Sequence, residues 1–151
     1  MTEEVRDQEQ TEAEMKPVKK KSLLKRVHMN YIPVSDYKKS AEWYGKYLGM
    51  DRLGDSSIML LGNGDWFFLI ETAAGTNANF IAKEWDRPNY EMFSLSFQTE
   101  NIVKLHELLR EGGTYVEPLT DNDGCGLQFK FKDLDGNKFN VWQDPNDSSP
   151  E

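Results

Sequence analysis

The sequence has a single cysteine, Cys125, so no disulfide can form within the chain. The fold must hold by packing rather than by covalent cross-links. Two histidines, His28 and His106, are too few for a histidine-rich metal centre. No apolar run approaches the roughly 20 residues that a membrane-spanning helix needs. The N-terminus lacks the apolar stretch of a secretory signal. An excess of positive charge is also missing: Lys and Arg number 18 against 26 Asp and Glu, for a net charge of -8. Such a surface repels phosphate backbones, so nucleic acid is not an expected partner. These absences together predict a cytoplasmic protein with no membrane partner.

What is present suits a packed core. The 151 residues fit one domain or two tightly fused halves, and eight Phe, six Tyr and four Trp supply large side chains to bury. Charge is unevenly spread at the start. An acidic stretch (Glu3, Glu4, Asp7, Glu9, Glu12, Glu14) precedes a basic one (Lys16, Lys19, Lys20, Lys21, Lys25, Arg26). Such blocks cancel and solvate, so residues 1–24 read as a disordered charged tail rather than a partner-binding arm. Met15 is an alternative start to Met1. Residues 144–151 read as a second polar tail, opened by Pro145, which cannot extend a strand.

Between the tails, one pattern runs twice. Residues 27–34 alternate as a strand and end at Ser35-Asp36, either of which can cap the helix that the apolar stripe Tyr37, Ala41, Tyr44, Leu48 predicts. Gly49 supplies its stop. Short strands follow near 51–53, 58–61 and 66–71, the last two joined by the turn Gly62-Asn63-Gly64-Asp65. Residues 72–88 read as an irregular linker. Then comes a strand at 92–97, a helix that Thr99 can cap with Ile102, Leu105, Leu108 and Leu109 on one face, a stop at Gly112-Gly113, a strand at 114–116, and a hairpin of 127–132 with 138–143. The recurrence of strand, helix, strand and hairpin every 60 or so residues is a repeat in pattern rather than in letters. It gives an α+β domain over 25–143: module one at about 25–75, a linker at 76–90, and module two at about 91–143.

Three stretches carry a resemblance. Tyr31-Ile32-Pro33-Val34-Ser35-Asp36-Tyr37-Lys38-Lys39-Ser40-Ala41-Glu42-Trp43-Tyr44, continued by Tyr47-Leu48-Gly49-Met50, resembles the opening of the vicinal-oxygen-chelate family, which includes glyoxalases, bleomycin-resistance proteins and dioxygenases. Residues 97–113 resemble its second-module strand and helix. Phe131-Lys132-Asp133-Leu134-Asp135-Gly136-Asn137-Lys138-Phe139 is similar to its Asp-Pro-Asp-Gly-Asn hairpin, with Leu134 in place of Pro. The resemblance implies two βαβββ modules whose curved mixed sheets form a half-barrel cleft, with the helices outside. It implies a homodimer as well.

Strand alternation then divides the faces. Ile32, Val34, Phe93, Leu95, Phe97, Phe129, Phe131, Phe139 and Val141 are expected under the helices. Met29, Tyr31, Leu69, Glu71, Met92, Ser94, Ser96, Gln128, Lys130, Asn140 and Trp142 are expected in the cleft. The family's four metal positions fall on Met29, Glu71, Met92 (or Phe93) and Asn140. Only Glu71 is a good hard-metal ligand, so no divalent metal and no other cofactor is expected. His28 lies one residue from the first position and reaches the cleft only through a β-bulge.

The expected function is metal-free small-molecule binding, such as sequestration of a cationic or planar aromatic compound. Tyr31 and Trp142 would give apolar area, and Met29, Glu71, Met92, Ser94, Lys130 and Asn140 complete the ligand-binding set. The alternative is a glyoxalase-like lyase, isomerase or dioxygenase with Glu71 as the best catalytic candidate, with or without a metal on His28. A second alternative is a protein-interaction module.

Overall fold

A computed structural model describes residues 22–121 and 123–147. Most of the charged leader and the last residues of the C-terminal tail lie outside the described residues, so the expectations for them are untouched. Among the described residues there are ten strands and two helices. No helix is long and apolar enough to cross a membrane.

Module one is β1 (Met29–Val34), α1 (Tyr37–Leu48), β2 (Asp51–Arg52), β3 (Ile58–Leu60) and β4 (Trp66–Glu71), with sheet order β1-β4-β3-β2. The helix begins where the sequence says it should. The Asp36 carboxylate accepts the backbone N–H groups of Lys38 and Lys39, two of the donors that the first turn leaves unpaired. The helix ends at Gly49, whose positive φ of 71° a side chain would strain.

Module two repeats the plan with β7 (Ser96–Gln98), α2 (Ile102–Glu111), β8 (Thr120–Asp121), β9 (Leu127–Lys132) and β10 (Lys138–Trp142), in sheet order β7-β10-β9-β8. In each module the first strand pairs in parallel with the last, as a strand–helix crossover requires. The fold is thus α+β, with two βαβββ modules and no closed sheet.

Three local expectations are corrected. The second-module strand starts at Ser96, not Met92. The α2 cap is Asn101, whose side chain accepts the Lys104 N–H, while the Thr99 hydroxyl accepts the N–H of Asn101 itself. Residues 72–88 are not wholly irregular: β5 (Phe80–Glu84) and β6 (Pro88–Met92) form a separate two-stranded sheet.

One core serves both modules. Ile32, Val34, Phe67 and Leu69 from the first sheet and Phe129, Phe131, Phe139 and Val141 from the second are buried in a single cluster with Trp43 and Tyr44 of α1. The Phe67 ring lies 5.8 Å from Phe97, 6.1 Å from Phe139 and 5.4 Å from Tyr44. Each such ring, fully buried, contributes about 1.5–3 kcal/mol. The helix-facing sides of the two sheets therefore meet in one core, and their opposite sides face away from it.

A polar clasp fixes the modules together at one end. The Asp133 carboxylate, buried in the β9–β10 turn, accepts the Tyr44 hydroxyl of α1, the Asn137 side-chain amide, and the backbone N–H groups of Asp135 and Asn137. Asn137, with no exposed surface, also donates to the Pro33 carbonyl and accepts from Ala78 N–H. The family-like turn is thus a three-way junction between β1, the linker and module two. Burial raises the Asp133 pKa, and the hydrogen bonds from Tyr44 and Asn137 hold that rise back.

Candidate functional site

The outward face of module one is set by the β1–β4 register. Met29 pairs with Trp66, Tyr31 with Phe68, and Pro33 with Ile70. These six side chains share one face, since alternate residues of a strand point the same way. The face is uncharged and aromatic. Tyr31 and Phe68 sit 5.9 Å apart, and Tyr31 is 61% exposed. Trp66 and Ile70 are also exposed large apolar residues.

Glu71 and Leu69 belong to the other face, a correction to the expected cleft assignment. Leu69 is 1% exposed in the shared core. The Glu71 carboxylate accepts the Tyr37 N–H at 3.1 Å, at the start of α1. The cause is a one-residue difference in register. Residues 66–70 are apolar without interruption, so alternation could not say which parity is buried; Phe67 and Leu69 win because they meet Tyr44 and the second sheet.

His28 is exposed and precedes β1 rather than bulging within it. Glu71 pairs opposite Val34, at the far end of that strand. Six residues at about 3.3 Å each put the two side chains' backbones about 20 Å apart. They do not form one site.

The outward face of module two is built by β7, β9 and β10. Asn140 pairs with Lys130 on one side and Ser96 on the other, and Trp142 with Gln128 and Gln98. The Asn140 amide donates to the Ser96 hydroxyl at 2.9 Å. The Asn140 carbonyl oxygen is buried with no partner among the described residues. Trp142 is half-buried, and its indole N–H donates to the Cys125 carbonyl. Gly126 makes that seat possible. It adopts a φ of 108°, and a Cβ there would collide with the Gln143 carbonyl at 2.3 Å and the indole nitrogen at 2.7 Å.

Met92 is not on this sheet: it ends β6 and pairs with Phe80. Ser94 is exposed in the short link between β6 and β7. The set expected from the sequence therefore falls in four places, with Glu71 alone at the start of α1. Met29 and Tyr31 lie on the module-one face. Lys130, Asn140 and Trp142 lie on the module-two face. Met92 and Ser94 lie in the segment between them. No hydrogen bond or aromatic pair joins the Tyr31, Trp66 or Phe68 side chains to Lys130, Asn140 or Trp142 among the described residues.

The β5–β6 hairpin lies over the turn end of the module-two face, a contact that sequence reasoning missed. Asn79 accepts the Lys138 N–H at 2.8 Å and donates to the Gly136 carbonyl and the Glu91 carboxylate. Glu91 pairs with Lys132 at 2.9 Å. The hydrogen bonds from Lys132 and Asn79 hold the Glu91 carboxyl below its ordinary pKa. The Lys138 ammonium donates to the Glu91 carbonyl and sits 4.1 Å from the Tyr90 ring centroid, and its burial lowers its pKa. The available signal was the string Phe80, Ile81, Trp85, Tyr90 around Asp86-Arg87-Pro88, which has strand-like residues on both sides of a turn.

A cavity of about 640 Å³ opens elsewhere. It lies between the modules and is lined by Leu48, Met50, Leu61, Phe97, Leu105 and Val141 among others. It also reaches Ser96, the partner of Asn140, but none of the expected ligand-binding residues lines it.

A divalent metal does not fit the donors present. Met29 and Met92 are thioethers, Asn140 is a neutral amide, and the Glu71 carboxylate is committed to α1. Among the described residues no three His, Cys, Asp or Glu side chains gather as a metal site would need.

No curated protein matches the sequence. Solved structures do. An antibiotic-binding protein from Streptomyces sp. CB03234 is 21% identical, covering 82% of this chain and 99% of that one, with a TM-score of 0.58. A glyoxylase/bleomycin resistance protein/dioxygenase domain from Frankia sp. EAN1pec is 24% identical over 82% and 93% of the two chains, at 0.60. The fosfomycin resistance protein of Listeria monocytogenes, in complex with Mn(II) and sulfate, is 17% identical over 82% and 92%, at 0.61. Likeness at this level establishes the fold. The sequence model of the family itself matches residues 25–141, essentially the whole of both modules. The chain belongs to the glyoxalase/bleomycin resistance protein/dioxygenase superfamily.

Proposed function

We propose that this protein binds a planar aromatic small molecule, without a resident metal, in a cleft completed by two copies of the chain. The observation that carries the reading is the module-one outward face. Tyr31, Trp66, Phe68 and Ile70 form an uncharged aromatic wall open to solvent. Flat rings stack on such a wall at small conformational cost. An antibiotic-binding protein of the same fold supports the analogy. The cationic half of the expectation rested on Glu71, whose carboxylate instead serves the start of α1.

The shared core supports the second copy. Because the helix-facing sides of both sheets are used against each other, one chain leaves its two outward faces apart. A module-one face of one copy against a module-two face of another closes a cleft and covers the exposed aromatics. Catalysis by a His28–Glu71 pair has no support in the geometry. A role in protein recruitment has only the exposed Phe80, Ile81 and Trp85 of the hairpin in its favour.

The cavity between the modules favours a competing location, since apolar lining and a volume near 640 Å³ suit a small ligand. One experiment tests both. Thermal shift with neutral planar aromatics, such as naphthalene methanol, should raise the melting temperature. Tyr31→Ala should abolish the shift and Leu61→Trp, which narrows the cavity, should leave it. The reverse pattern moves the site to the cavity. No shift with any planar compound removes the binding reading.

A further inference from the structure

The two outward faces differ sharply in charge. The module-one face has none. The module-two face carries three lysines, Lys130, Lys132 and Lys138, against Glu91 and Glu117, on a chain whose net charge is -8. Two of the lysines are committed. Lys132 pairs with Glu91, and Lys138 is buried against the Glu91 carbonyl and the Tyr90 ring.

Lys130 is different. Its ammonium makes no ion pair or side-chain hydrogen bond among the described residues; the Phe93 ring lies 6.0 Å away, and the Lys130 charge also acts on the Tyr90 hydroxyl, where it opposes the rise in pKa caused by burial. Glu117 lies opposite it across the strand, joined by the Glu117 N–H to Lys130 carbonyl bond. The Glu117 carboxylate, however, turns to the Tyr115 hydroxyl at 2.8 Å and makes no ion pair with Lys130. Lys130 stands beside Asn140, whose carbonyl oxygen is unpaired and whose amide holds the Ser96 hydroxyl. One diagonal step along the ladder is Trp142, within reach of a long or aromatic ligand group.

We infer that the ligand carries an anionic oxygen, a carboxylate or phenolate on its planar ring, and that Lys130 receives it with the Ser96–Asn140 pair alongside. The inference rests on the small-molecule reading above and specifies the ligand's charge. A carboxylate beside Lys130 gains a charge-assisted hydrogen bond. A cation there meets the Lys130 ammonium, while the nearby Glu117 carboxylate is engaged by the Tyr115 hydroxyl. Ser96 turns its hydroxyl proton outward when its oxygen accepts from Asn140, and so offers the anion a second donor.

The test uses three naphthalenes of one shape, 2-naphthoate, 2-naphthalene methanol and 2-naphthylmethylamine, titrated against the full chain by tryptophan fluorescence. The acid should bind on the order of tenfold more tightly than the alcohol, and the amine more weakly than either. Lys130→Gln should bring the acid level with the alcohol, and Lys130→Glu should reverse the order of acid and amine. Raised salt should weaken the acid alone. Equal binding of all three, or tightest binding of the amine, overturns the anion assignment while the aromatic-binding reading stands. Binding of none overturns both. An acid preference unchanged in both Lys130 variants overturns the role of Lys130.

Discussion

A single buried carboxylate shows how much one residue organises here. Asp133 accepts four hydrogen bonds, and the one from Tyr44 ties helix α1 of module one to the last hairpin of module two. Tyr44 itself is fully buried, and that burial together with the Asp133 charge raises its hydroxyl pKa well above the usual value, so it stays a donor. Tyr44→Phe removes a donor from a buried acceptor and should cost about 1–3 kcal/mol in urea unfolding. The pH dependence has a definite sign. The Tyr44 bond favours the ionised carboxylate, so losing it raises the folded-state Asp133 pKa further. A raised carboxyl pKa leaves stability intact below the unfolded value and loses it as pH rises through the folded one. The penalty of Tyr44→Phe should therefore be smaller near pH 3.5 than at pH 7; a penalty that is flat or larger in acid contradicts the assignment. At the same scale, the donor set Met29, Glu71, Met92 and Asn140 predicts less than one equivalent of Ni, Zn, Mn or Fe per chain after gel filtration in metal-supplemented buffer. One equivalent, lost on Glu71→Ala, would show that Glu71 leaves α1 to bind metal.

Among the elements, the β5–β6 hairpin is the one whose attachment is least secure and most informative. A two-stranded ribbon has little core of its own, and this one is held to module two through Asn79, Glu91 and Lys138. Asn79→Ala removes the acceptor for Lys138 N–H and the donor to Glu91 and Gly136. Hydrogen exchange across residues 80–92 should accelerate at least tenfold while β9 and β10 stay protected, about 1–3 kcal/mol of local opening. Glu91 adds a pH signature. Its carboxyl pKa is lowered, so its contribution is present above the unfolded value and lost as pH falls through the folded one. Hairpin exchange in the native chain, corrected for intrinsic rates, should rise only below about pH 4.5. Uniform acceleration across both sheets in Asn79→Ala would make the hairpin part of the global fold instead.

At the scale of the whole molecule stands the proposed pairing of two copies. Tyr31 and Trp66 on the module-one face and Phe80, Ile81 and Trp85 on the hairpin are all exposed in one chain, apolar surface that a partner copy would cover. Light scattering at micromolar concentration should return twice the 17.5 kDa chain mass. Tyr31→Glu with Trp66→Glu should return the single chain with unchanged circular dichroism. A native protein of single-chain mass would leave the cleft to be built by one copy, against the arrangement proposed.

Local features were legible without tertiary information because their causes are local. Asp36 and Gly49 bound α1 by capping and by positive φ, and the β9–β10 turn follows from Asp133 to Asn137. The doubled module was legible for the same reason, as hydrophobic periodicity switching from strand to helix and back. The faces of β4 were not. Residues 66–70 are apolar on both sides, so only the meeting of Phe67 with Tyr44, Phe97 and Phe139 decides that Glu71 turns to α1 and Ile70 to solvent. The hairpin over module two was hidden likewise, since its bonds to Gly136 and Lys138 join residues nearly 60 apart. Which lysine stays without an ion pair or hydrogen bond among the described residues is likewise decided by the fold. Lys130, Lys132 and Lys138 look alike in the sequence, and only the folded positions of Glu91 and Tyr90 occupy two of them and leave Lys130.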